Sequence, residues 1–166
     1  MALISQIQCA VTTEGLKTLA AMVANGTVFT IVKFRVSDSG DEAEYESKKS
    51  YRALDPDAFY MDYTTADYEA GHGGTIEKAG LYANGISDID GFITINSIEL
   101  TSDLITIEMD CYIPPTNGLT FAANDIMVYT ELASAPGVYT SFIWAIFPEI
   151  TKNATYGINF KVFLQW

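Results

Sequence analysis

Leu104-Ile105-Thr106-Ile107-Glu108-Met109-Asp110-Cys111-Tyr112-Ile113-Pro114-Pro115 is the stretch whose reading decides the fold. Ile105, Ile107, Met109, Cys111 and Ile113 stand at alternate positions, with Thr106, Glu108 and Asp110 between them. A repeat of two places the first set on one face of a strand and the second on the other. The segment therefore reads as a strand with one face in a core and one in water. Pro114-Pro115 ends it, because proline has no N–H to give to a ladder.

Segments of the same kind lie on both sides. Downstream are Ile126 to Leu132, Val138 to Phe147 closed by Pro148, and Tyr156 to Trp166. Upstream are Phe92 to Leu100, Ile76 to Tyr82 stopping at the turn dipeptide Asn84-Gly85, and a loosely alternating run over residues 3 to 11. In Val28 to Val36, the residues Val28, Thr30, Val32, Phe34 and Val36 share one face, opposite Lys33 and Arg35. One helix is predicted over residues 13 to 25. Thr12 or Thr13 caps it, Glu14 suits the positive end of its dipole, and Asn25-Gly26 stops it. Its apolar stripe would lay Leu16, Leu19 and Val23 on a sheet. Strand-sized segments parted by Gly, Pro and Asn turns predict a mainly β chain: an antiparallel β-sandwich or barrel-like sheet with one N-terminal helix.

The order breaks between Asp38 and Glu69. Ten acidic residues face three basic ones there, and five of the ten tyrosines fall in it. With the joint Gly71-His72-Gly73-Gly74 it reads as an irregular insertion, at about 38–74, in a single domain spanning 1–166. Its rings are costly to leave in water and typical of interface anchors, so Phe59, Tyr60 and Tyr63 are the candidate centre of a surface that docks on a more basic partner chain.

Composition narrows the function. At 166 residues, 49% hydrophobic and 18% charged, the chain is expected to bury a core as one domain. A net charge of −12 repels phosphate backbones and anionic lipid, so neither nucleic acid nor a membrane is an expected partner. Met1 to Gln6 carries no basic run, and no secretory signal is expected. Cys9 and Cys111 sit in apolar-patterned stretches and read as small core residues.

Chemistry is sparse. His72 is the one histidine, and among glycines it reads as an exposed loop residue with nothing to orient it. Asp88-Ile89-Asp90 with Glu99 follows the first and last ligands of a calcium loop, but Phe92 takes a ligand position and Ile93 the turn glycine. No catalytic, metal-binding or cofactor-binding residue is predicted.

The order of several short motifs adds a family resemblance. Thr12-Thr13-Glu14-Gly15-Leu16 runs into Leu19-Ala20-Ala21, Asn25-Gly26 and Phe29-Thr30-Ile31. Glu77-Lys78-Ala79-Gly80-Leu81-Tyr82 precedes Asn84-Gly85, and Phe147-Pro148-Glu149-Ile150 precedes Lys152. This succession resembles the phage tail-collar fibre family, the N-terminal, baseplate-attaching domain of contractile-tail fibres. The resemblance implies a virion structural protein at the tail baseplate, made in the host cytoplasm. It would bind other tail or baseplate proteins and self-associate, with a trimer favoured. The alternative from the residues alone is a carbohydrate-binding β-sandwich module, in which exposed Tyr and Trp stack on sugars.

Overall fold

The computed structural model describes residues 9–52, 55–72, 93–104, 106–115 and 121–165. The expected strand at Ile76 to Tyr82, Asp88-Ile89-Asp90 and Trp166 lie outside them, as do residues 3 to 8. In chain order the elements are β1 (Cys9–Val11), α1 (Thr13–Asn25), β2 (Phe29–Ser37), α2 (Glu42–Lys48), β3 (Lys49–Arg52), β4 (Asp55–Met61) and α3 (Thr65–His72). They continue with β5 (Ile93–Thr94), β6 (Ser97–Leu100), β7 (Thr106–Ile113), β8 (Phe121–Leu132), β9 (Tyr139–Lys152) and β10 (Ile158–Gln165). The chain is mainly β, with antiparallel sheets in a sandwich-like arrangement.

A five-stranded sheet, ordered β1-β9-β8-β2-β5, faces a three-stranded sheet, β10-β7-β6. Between them lies the main core. The small sheet supplies Met109, Cys111, Ile113, Phe160 and Val162, and the large one supplies Phe34, Val36, Ile126, Val128, Ile143 and Ala145. The alternation that defined β7 therefore holds, with Met109, Cys111 and Ile113 buried and Ile107 packed at the margin.

β8 and β9 are different, because every residue from Asp125 to Thr130 and from Ser141 to Ala145 is buried. A strand covered on both faces loses the in–out alternation. The second cover is the segment that reads as an irregular insertion. It is a regular layer made of α2, the β3–β4 hairpin and α3, and it builds a second core on the back of the large sheet. That core joins Tyr45, Met61, Tyr63 and Tyr68 to Ala10, Met127, Tyr129 and Trp144. The acidic side chains obscured this layer, since they outnumber the rings that face inward.

Helix α1 spans the expected residues. Thr12 caps it by accepting the Gly15 N–H at 3.0 Å, and Gly26 closes it with φ 64°. Its buried stripe is rotated from the predicted one. Gly15 and Thr18 are buried, Leu16 and Leu19 are half-buried, and Val23 is 90% exposed. The helix approaches β9 closely at Gly15, beside Phe142, while Val23 near its end remains in solvent.

Bulges and irregularities account for further differences from the expected strands. Register shifts by one residue between Ile31 and Lys33, so Ile31 and then Phe34 and Val36 face the same core, while Val28 is exposed. One extra residue in a strand exchanges its faces. In β9, Phe142 is the extra residue between the partners of Val128 and Tyr129, and its carbonyl accepts the Thr12 N–H at 2.9 Å. Pro148 does not end β9. The strand runs on to Lys152 through an irregularity that spans the proline, where no ladder N–H is needed.

Candidate functional site

The outer layer converges on one polar cluster. α2 is capped by Asp41, which accepts the Ala43 N–H at 2.9 Å, and it carries Glu44 inward. α3 begins with a reciprocal cap. Thr64 N donates to Asp67 Oδ2 at 3.1 Å, and Asp67 N donates to Thr64 Oγ1 at 3.1 Å. One turn of helix separates Tyr68 from His72, so their rings lie on one face and stack at 4.7 Å and 1°. β8 supplies Asp125 from the face that also bears Met127 and Tyr129.

His72 is thus buried, where an exposed loop residue was expected. Its Nδ1 lies 2.6 Å from Asp125 Oδ2, and its Nε2 lies 3.1 Å from Glu44 Oε2. Asp125, itself fully buried, accepts from Ser37 Oγ at 2.7 Å, from Tyr68 OH at 3.1 Å and from Trp144 Nε1 at 3.4 Å. Glu44 accepts from Tyr63 OH at 2.7 Å. Burial alone pulls the imidazole's pKa down, but the hydrogen bond and charge of Asp125, reinforced by Glu44, outweigh it and hold the pKa above the ordinary value. Burial and the bond to Glu44 push the Tyr63 phenol far up, and burial beside Asp125 does the same to Tyr68.

The cluster holds together two layers and lacks the layout of a nucleophilic site. Ser37 is the nearest hydroxyl, at 3.5 Å from Nδ1, but its proton goes to Asp125 and its side chain is buried. Both ring nitrogens face carboxylates, which leaves none to take a proton from a substrate. Among the described residues no group of three or more His, Cys, Asp or Glu has a metal-holding arrangement.

Of the three proposed docking residues, Tyr63 is internal. It is 1% exposed and stacks on Trp144 at 4.4 Å and 13°. Phe59 packs at the edge of the second core under Lys49, whose Nζ lies 4.7 Å from the ring centre, and Tyr60 is half-buried on the other face of β4. Of Phe59, Tyr60 and Tyr63, expected near the centre of a docking surface, Tyr63 is thus buried in the second core and cannot meet a partner, while Phe59 and Tyr60 stay partly exposed. Two signals in the sequence pointed inward: the Thr64-x-x-Asp67 cap, and the one-turn spacing of Tyr68 and His72. Asp125 was less legible, because a strand read from Ile126 leaves it in the preceding turn.

An apolar groove of about 330 Å³ opens on the other side of the molecule, between α1 and the margins of the two facing sheets. Leu19, Met22, Phe29, Ile98, Ile107 and Leu164 are among its lining. Ile98 and Leu100 stand opposite Met109 and Ile107 in the β6–β7 ladder, so they share the core-facing side of that sheet. They nevertheless remain 40% and 57% exposed. Among the described residues, the inner face of the small sheet thus extends beyond its cover. No family model, curated protein or solved structure matches the chain.

Proposed function

We propose that this chain is a structural module of a larger assembly, of the kind that attaches tail fibres to a phage baseplate, acting through protein–protein contacts. The uncovered inner face at Ile98 and Leu100, continuous with the apolar groove beside α1, is the observation that carries this reading. Apolar surface left open on an otherwise acidic protein is what an assembly buries. Exposed Glu99 and Asp103 flank it, so the partner that fits is a tail-protein surface with apolar side chains between lysines or arginines. The motif order from Thr12 to Lys152 gives the tail-fibre setting, and trimeric self-association belongs to the same proposal.

For a sugar-binding module, Tyr45, Tyr63, Tyr68 and Trp144 are internal and offer no stacking platform, which leaves Tyr51, Tyr112 and Tyr156 as the exposed tyrosines among the described residues. The test is a double variant, I98E/L100E. Both side chains are substantially exposed, so the isolated variant should keep its melting temperature within a few degrees. It should fail to co-assemble with the tail proteins that the unaltered chain binds. Normal incorporation of a folded I98E/L100E chain into particles would overturn the proposal.

A further inference from the structure

We infer that Glu44, His72 and Asp125 form a proton-linked clamp that holds the outer layer on the five-stranded sheet, and that this layer loosens when the imidazole loses its proton. Three elements distant in sequence meet at one ring: α2 through Glu44, α3 through His72 itself, and β8 through Asp125. An imidazolium donates at both nitrogens and so satisfies both carboxylates at once. A neutral ring carries one N–H. The shorter contact, to Asp125 at 2.6 Å, keeps that proton, and a bare Nε2 lone pair then faces Glu44 Oε2 at 3.1 Å.

The two carboxylates differ in their freedom to respond. Asp125 is fully buried and held by Ser37, Tyr68 and Trp144. Glu44 has a side chain 33% exposed, so it can turn to water and release α2. Around the ring stand also Ser37, whose hydroxyl lies 3.5 Å from Nδ1, Tyr68, stacked on the ring, and Trp144 and Tyr63, edge-on at 5.3 and 6.1 Å. Lys48 lies over the far side of Tyr63 at 5.5 Å. Behind Tyr68 stand Tyr129, with which it is in ring contact, and Arg35, which is paired with Glu69 at 3.7 Å. Of the charged groups here, only Glu44 and Asp125 reach the ring nitrogens.

The direction of the pH effect follows. In the unfolded chain the imidazole titrates near its ordinary 6.5, and in the fold its pKa lies higher, so the folded state binds the proton more tightly. The clamp contributes fully below the unfolded value and is lost as pH rises through the folded value.

His72 is the chain's one histidine, so a long-range proton–nitrogen spectrum reads a single imidazole without assignment. The expected result is a doubly protonated ring at about pH 6, with a titration midpoint above the ordinary value. Amide-exchange protection in α2 and α3, corrected for intrinsic exchange, should be lost on that same midpoint while β8 and β9 stay protected. Glu44→Gln should lower the midpoint and remove the pH dependence of α2 protection. A midpoint at or below the ordinary value would overturn the inference. So would α2 and α3 protection that does not follow the ring. The unaltered protein decides both, whether or not the variant folds.

Discussion

Gly15→Ala is expected to destabilise the fold, although the same exchange in a helix usually does the reverse. Alanine is favoured over glycine in a helix by about 1 kcal/mol, because glycine loses more backbone freedom. At position 15 there is no room for the methyl. A Cβ built there would lie 2.6 Å from the Phe142 carbonyl oxygen, 2.8 Å from Val11 Cγ1 and 2.9 Å from Phe142 Cδ2. The oxygen cannot give way easily, since it belongs to the β9 bulge and accepts the Thr12 N–H. Overpacking of this kind costs roughly 1–3 kcal/mol, and more where backbone must move. Because the nearest clash is with backbone, the cost belongs in the upper part of that range, and set against the propensity gain the net loss should be about 1–2 kcal/mol, or roughly 2–8 °C in melting temperature for a domain of this length. Gly71→Ala is the matched control. That glycine lies in α3, and its Cβ would meet only Tyr63 Oη, at an ordinary 3.7 Å. It should gain up to about 1 kcal/mol. Urea denaturation of both variants beside the parent decides the matter. A Gly15→Ala protein as stable as the parent, or shifted in the same direction as Gly71→Ala, would refute the close approach of α1 to β9.

Leu19→Ala should cost about 1–3 kcal/mol, less than a fully buried leucine, while Val23→Ala should stay within about 0.5 kcal/mol; equal losses in denaturant would contradict the rotation of the α1 stripe. Asp125→Ala strips the buried His72 ring and three further donors of their acceptor, and a loss of roughly 3–5 kcal/mol is expected by calorimetry. A loss under about 1 kcal/mol would mean that the cluster does not hold the layers together. Burial, with a smaller push from Asp110, raises the Cys111 thiol to about 12. Alkylation of Cys111 at roughly pH 8, followed on its own peptide, should therefore be negligible in the folded protein and rapid in urea, with fast labelling of the native Cys111 as the contrary result.

Helix α1 and strand β7 were legible in the sequence because their signals are local. Thr12 and Gly26 act within one turn of the helix end they finish, and a repeat of two in β7 needs only a core on one side. The outer layer was not legible by the same reasoning. Its helices are short, its charges dominate composition, and the inward turn of Tyr45, Tyr63 and Tyr68 depends on a sheet face built by β8 and β9, more than fifty residues further on. Bulges at Val32, Phe142 and Pro148 belong to the same class, since register is settled between strands and not within one. By itself the sequence determined a mainly β chain with a capped helix. Only the tertiary structure decided that Glu44, His72 and Asp125 would meet, because that meeting requires two layers to close over a shared core, and no local pattern encodes the distance between them.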